Sequence, residues 1–211
     1  MKNDLSDVTV ILDRSGSMGS CKEEAENGIN HFIEEQKKHD GECVFSLVQF
    51  DTEYEFVHKG IPIKDVPEFK LVPRGMTALL DAVGRAINET GERLDKIDKE
   101  DRPGLVVFVI LTDGDENASS EFTRAQIKEM IERQQNEYNW QFTFLGANQD
   151  AFAEARSIGI GVRATANYSA KNTGYAFTAA SANLNRMRSS AVVDEIVDCS
   201  YLDSERESME D

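Results

Sequence analysis

Two short apolar runs, each stopping abruptly at polar residues, set the tightest limit on what this chain can become. Val8-Thr9-Val10-Ile11-Leu12 ends at Asp13, and the run from Leu105 to Leu111 ends at Thr112-Asp113-Gly114-Asp115. Neither alternates apolar with polar residues in the manner of a half-solvated strand, so both read as strands buried on two faces of a sheet. The longer run is far too short to span a bilayer, which takes about 20 residues of helix. The polar clusters that follow must then sit together on one rim of that sheet.

The segments between these runs supply the covering helices. Cys21 to Lys38 carries Ala25, Ile29, Phe32 and Ile33 at helical spacing. Cys43 to Phe50 and Tyr54 to His58 are strand-like and separated only by Asp51-Thr52-Glu53, which predicts an antiparallel hairpin with its second strand at the sheet edge. Gly60 to Gly75, with Pro62, Pro67 and Pro73, reads as an irregular connection. A helix over 78–97 follows, burying Leu79, Val83, Ile87 and Leu94 and leaving Thr77 at its amino-terminal side. Further along, the pattern predicts a helix from Thr123 to Asn136, a strand from Trp140 to Leu145, a helix from Asp150 to Ser157, a last strand from Ile160 to Thr165 and an Ala-rich helix from Thr173 to Met187. The end, Asp203 to Asp211, is strongly acidic and is expected to be disordered. Strands alternating with helices give an α/β three-layer sandwich: a mainly parallel central sheet, one antiparallel edge strand, helices on both faces, and a ligand crevice at the carboxyl ends of the strands.

Size and charge narrow the function. At 211 residues and 40% hydrophobic content the chain suits one α/β domain with a short tail. A formal charge of −16 argues against neutralising nucleic-acid phosphates. Cys21, Cys43 and Cys199 are odd in number, widely spaced and without a CxxC pair, so neither a disulfide framework nor a thiolate metal site is expected. With no apolar signal core at Met1 to Asp7 and no membrane-length segment, the expected location is the cytoplasm.

The chemistry lies in the rim clusters. Asp13-Arg14-Ser15-Gly16-Ser17 places one carboxylate and two hydroxyls within five residues on a loop that glycine leaves free to curl. Such hard oxygen donors suit Mg²⁺, Mn²⁺ or Ca²⁺ better than zinc, although a short Asp/Ser/Gly loop alone is equally a turn or helix cap. Read together, Asp13-x-Ser15-x-Ser17, the isolated Thr77 and Thr112-Asp113-Gly114 resemble the metal-ion-dependent adhesion site of von Willebrand factor A domains in order and context.

The resemblance spans about 5–165 and implies a Rossmann-like fold, with a domain over 1–190 that takes in the Ala-rich helix, and a C-terminal extension with an acidic tail over 191–211. It also implies that Ser15, Ser17 and Thr77 are hydroxyl ligands of a divalent cation, Mg²⁺ first and Mn²⁺ or Ca²⁺ as substitutes, with Asp13 and Asp113 holding the ion directly or through water. The partner would be a protein presenting Asp or Glu, and the chain would be a non-enzymatic, stand-alone module of bacterial or phage type. Arg14 either steers an acidic partner or points to solvent; sequence does not choose between these. Thr77 taken alone is an N-cap candidate.

Other functions fit less well. A metal-dependent phosphohydrolase would want a phosphate-binding Gly-x-x-x-x-Gly-Lys-Ser/Thr loop or a second aspartate two residues after Asp13, and Ser15 stands there. A serine hydrolase lacks Gly-x-Ser-x-Gly, and His31, His39 and His58 fall on a helix, its end and an edge strand. The run from Asp113 to Arg124 fails as an EF-hand because Ala118 and Arg124 occupy the glycine and glutamate positions; Asp115, Glu116 and Asn117 read instead as rim or cap residues. The main alternative is a structural or assembly protein with a vestigial metal site, binding through the Ala-rich helix or the acidic tail.

Overall fold

The computed structural model describes residues 1–147 and 150–210. Six strands, β1 (Lys2–Asp13), β2 (Glu42–Phe50), β3 (Tyr54–Pro62), β4 (Pro103–Thr112), β5 (Gln141–Ala147) and β6 (Thr165–Tyr168), form one sheet in the order β3-β2-β1-β4-β5-β6. Only β3 is antiparallel to its neighbour, and it occupies an edge. The two apolar runs of the sequence are the central pair, β1 and β4, in register from Ser6 against Leu105 to Leu12 against Leu111.

Strand alternation divides the core into two layers. Val8, Val10 and Leu12 of β1 with Leu105, Val107, Val109 and Leu111 of β4 face α1 (Lys22–Lys38) and α5 (Thr173–Val192). Ile11, Val106, Phe108 and Ile110 face α2 (Leu79–Asp95), α3 (Arg124–Tyr138) and α4 (Ala151–Ser157). Leu79, Val83, Ile87 and Leu94 are all buried, as the helical spacing predicts. Ala176, Ala179 and Ala180 of α5 are buried in the first layer, so the Ala-rich face serves internal packing and is not offered to a partner. The approach of α5 to α1 is so close that a Cβ on Gly28 would overlap the Phe177 ring.

Two expectations are corrected near the carboxyl terminus. The last strand is Thr165–Tyr168, not Ile160 to Thr165: Val162–Ala164 makes a single 3-10 turn, and Ile160 anchors the segment by burying its side chain. The acidic end is also ordered. Asp203–Glu210 forms helix α6 because Met209 is fully buried and Arg186 of α5 grips Glu205 with both Nη atoms, at 2.6 and 2.9 Å, so local anchors outweigh the acidic composition. Asp211, the last residue of the expected tail, lies outside the described residues. Among the described residues no helix is long and apolar enough to cross a membrane, and Cys21, Cys43 and Cys199 are unpaired.

Candidate functional site

The adjacent ends of β1 and β4 bring their polar clusters together. Asp13, the last residue of β1, is fully buried; its Oδ1 accepts from Ser15 N and its Oδ2 from Thr112 Oγ1, both at 2.6 Å. These bonds curl the loop back over the strand end, and a 3-10 turn over Gly16–Cys21 leads from it into α1. Ser15 Oγ lies 3.0 Å from Ser17 Oγ, and Ser17 Oγ donates to Asp113 Oδ1 at 2.6 Å. A Cβ on Gly114 would stand 3.1 Å from Thr77 Oγ1, 3.5 Å from Ser17 Oγ and 3.9 Å from Ser15 Oγ. The missing side chain of Gly114 thus leaves a cradle walled by all three hydroxyls, and Asp13, Ser15, Ser17, Thr77 and Asp113 converge on one spot of the rim.

The electrostatics of the spot are unbalanced. Burial pushes the Asp13 carboxyl up to about 6, with the neighbouring Asp113 charge adding to the effect against the lowering influence of its hydrogen bonds. Burial raises Asp113 too. Asp113 Oδ2 is a buried atom with no hydrogen-bond partner, an arrangement costly to maintain unless something else satisfies it. Among the described residues no group of three or more His, Cys, Asp or Glu side chains is arranged to hold a metal ion. The rim offers two carboxylates and three neutral hydroxyls instead, a donor set that fits a hard divalent cation.

Thr77 is not a helix cap: the N-cap of α2 is Ala78, and no side-chain bond closes it. The turn bearing Thr77 is held from the loop after β4. Asn117 Oδ1 accepts from Thr77 N at 3.0 Å, the Thr77 carbonyl accepts from the backbone N–H groups of Asn117 and Ala118, and Glu116 Oε2 accepts from Leu80 N at 2.9 Å. Buried Asp81 then ties α2 to the same loop by accepting from the N–H groups of Ser120, Glu121 and Phe122. Glu116 and Asn117 thus cap a segment about 40 residues earlier in the chain, a pairing that local spacing does not reveal. Nothing in the local sequence marks Asp81 for this role, since an acid in the first turn of a helix is ordinary.

Arg14 takes neither role considered for it. It is buried and pairs with Asp51 at 2.8 Å and Glu55 at 2.7 Å, while Arg74 shares the same Asp51 oxygen at 2.8 Å. Backbone bonds run from Arg74 N to the Arg14 carbonyl, from Gly16 N to that of Gly75 and from Ala78 N to that of Asp51. The β2–β3 turn, the loop after β1 and the segment before α2 are thereby cross-braced around one buried carboxylate, and Arg14 acts within the scaffold.

No family model matches the chain, and no curated protein matches it. Solved structures do match its fold. A von Willebrand factor type A protein from Catenulispora acidiphila shares 15% identity at a TM-score of 0.58, over 89% of this chain and 42% of its own. Proximal thread matrix protein 1 from the mussel byssus shares 14% at 0.60, over 89% and 46%. Manganese-loaded TRAP protein from Plasmodium vivax shares 14% at 0.55, over 84% and 73%. The mussel protein is also known with a zinc-occupied MIDAS motif, at 16% identity and a TM-score of 0.56, over 89% and 44%. The chain therefore has a von Willebrand A-like fold, and it spans less than half the length of the first two of these structures.

Proposed function

We propose that the chain is a divalent-cation-dependent protein-binding module of adhesion type, which recognises an acidic residue of a partner protein through a cation held on the rim. Asp13, Ser15, Ser17, Thr77 and Asp113 would hold the ion, with Mg²⁺ as the expected occupant and Mn²⁺ or Ca²⁺ as substitutes. The observation that carries this reading is the cradle over Gly114, where three hydroxyls converge beside a buried carboxylate oxygen with no partner. The manganese-loaded and zinc-occupied structures of the same fold support divalent metal at such a site.

The chain's own residues do the positioning. Asp13 orients the loop by accepting from Ser15 N and Thr112 Oγ1, and Ser17 steers one oxygen of Asp113. Because Ser15, Ser17 and Thr77 are neutral, they add donors without adding negative charge, which leaves the site able to attract a carboxylate from outside. The bound cation would supply Lewis acidity and a free coordination position for that carboxylate. The reading contains no catalytic step and no nucleic-acid partner, the latter in keeping with a charge of −16. Three unpaired cysteines favour a reducing compartment such as the cytoplasm.

The test is a pull-down from cell extract with wild-type and Asp13→Ala protein, each in Mg²⁺ and in excess chelator, beside calorimetric titration of Mg²⁺ into wild type, Asp13→Ala and Thr77→Ala. A partner retained only by wild type with Mg²⁺, and cation affinity weakened in both variants, is the expected result. Retention in all four conditions would favour the assembly reading. Equal affinity in the three proteins would remove the residue assignment.

A further inference from the structure

Strand β6 is the weakest member of the sheet by construction. It has four residues and pairs with β5 on one side only, and so short an edge strand has little stability of its own. The chain's own end braces it at both of its ends. Tyr201 N donates to the Arg163 carbonyl at 2.9 Å, Arg206 donates to the carbonyls of Val162, Arg163 and Thr165, and Ser169 N donates to the Met209 carbonyl at 3.0 Å. These contacts bracket β6 at its first residue and just beyond its last. The bracket is anchored in turn: Met209 and Tyr201 are buried, the Arg206 guanidinium lies 5.9 Å from the ring centroids of both Phe152 and Tyr201, and Glu205 is held by Arg186.

Strand β6 ends at Tyr168, a buried residue whose hydroxyl donates to the Thr112 carbonyl at 3.3 Å. Thr112 precedes Asp113 in the chain, and its own hydroxyl is the donor to Asp13 Oδ2. Two residues past Tyr168, the turn Ala170–Asn172 lies against the 3-10 turn Gly16–Cys21, and Asn172 Nδ2 donates to the same Met209 carbonyl at 3.3 Å. The carboxyl-terminal segment therefore touches the rim at two removes, through Tyr168 behind the β4 end and through Asn172 behind the serine loop.

We infer that Tyr168 is a positioning residue for the rim site and that residues 199–210 are the strap that keeps it in place. Its functional consequence rests on the cation reading above. When the strap lifts, β6 loses both brackets, the Tyr168 hydroxyl leaves the Thr112 carbonyl, and the Thr112–Asp13–Ser15 chain of hydrogen bonds loses its support from behind. Groups that orient ligands from one shell out govern affinity as strongly as many direct contacts. A partner or modification that pulls on the acidic strap would then tune the site without touching it.

The experiment uses the full chain with strap variants Met209→Asp and Arg206→Gln, the relay variant Tyr168→Phe and the conservative control Met209→Leu. Each is read by Mg²⁺ calorimetry and, in chelator, by hydrogen exchange. The expected result is a loss of Mg²⁺ affinity of about tenfold for the first three and wild-type affinity for Met209→Leu. In chelator, the strap variants exchange faster at 165–172 and at 13–21, whereas Tyr168→Phe does so at 13–21 alone. A folded strap variant that opens 165–172 but keeps wild-type Mg²⁺ affinity and full protection at 13–21 overturns the inference. If Met209→Asp does not fold, Arg206→Gln, which keeps most of the side-chain bulk, decides. If wild type binds no Mg²⁺, the cation function fails by itself, and the exchange pattern in chelator still decides whether the strap supports the loop.

Discussion

Midway along β1, Asp7 is 1% exposed and is gripped by both Nη atoms of Arg93, at 2.6 and 2.8 Å; at the carboxyl end of the same strand, Asp13 is 0% exposed and is held only by an N–H group and a hydroxyl. The contrast extends to neighbouring elements. Asp113, just past β4 and beside Asp13, keeps one carboxylate oxygen without a hydrogen-bond partner. Among the described residues neither Asp13 nor Asp113 forms an ion pair. Mid-strand Asp7 has a guanidinium against it; the rim arranges dipoles around negative charge and leaves the neutralisation to something from outside. A buried carboxylate marks a binding site when its compensation is missing, and a structural joint when it is complete.

The largest test of that contrast places a carboxylate in the apolar layer of the core. Val109→Asp in the middle of β4, at a position 2% exposed, should cost on the order of 5 kcal/mol and yield insoluble or unfolded protein. A soluble variant with a cooperative transition would contradict the sheet assignment. Next in size is Arg93→Ala, which strands Asp7 and should cost about 3–5 kcal/mol in urea denaturation. Saturating Mg²⁺ should not repair this loss, because the defect lies in the middle of the strand, away from the rim.

Asp13→Asn sharpens the comparison from the other side. Removing the uncompensated charge should leave the chelated protein no less stable than wild type, since Thr112 Oγ1 has the Gly114 carbonyl at 3.1 Å as a second acceptor, while Mg²⁺ binding in calorimetry should be lost. A matching pH effect is expected in chelator. With the native Asp13 carboxyl raised to about 6 from an ordinary 3.8, the folded state takes up its proton first as pH falls. Wild type should therefore gain stability between about pH 6 and pH 4, by up to about 3 kcal/mol, and Asp13→Asn should lack that gain. A denaturation series showing the same pH slope for both proteins would refute the assignment. The smallest effect is Gly114→Ala: a methyl group 3.1 Å from Thr77 Oγ1 should weaken Mg²⁺ binding by about tenfold with little change in unfolding midpoint.

Strands β1 and β4 were legible because burial on both faces leaves an unbroken apolar run, and the hairpin because three polar residues between two strand patterns allow little else. The five rim residues form a set in the sequence only through the resemblance to von Willebrand A domains; taken alone, the Asp13 loop reads equally as a turn or cap and Thr77 as an N-cap candidate. Strand β6 was misplaced: Ile160 and Val162 look like strand residues, but the pairing falls on Thr165–Tyr168, where only the contact with β5 makes a strand of Thr-Ala-Asn-Tyr. Helix α6 was missed for a related reason, since its single buried apolar anchor, Met209, is hidden in an acidic background. Arg14 could not be assigned because its partners lie 37 and 41 residues away, beyond any local pattern.

The two margins of the sheet carry a last consequence. An exposed strand edge is a standing invitation to other strands, and proteins blunt it with bulges, charges, proline or a covering segment. Here β3 is irregularly registered against β2, carries Lys59 and ends at Pro62, and β6 lies beneath the chain's own terminus. Both flanks are thereby made less open to extension of the sheet from copy to copy. The molecule should stay dispersed at concentrations where an open-edged sheet of similar size would begin to form fibres, and a partner is left to approach along the loops at the top.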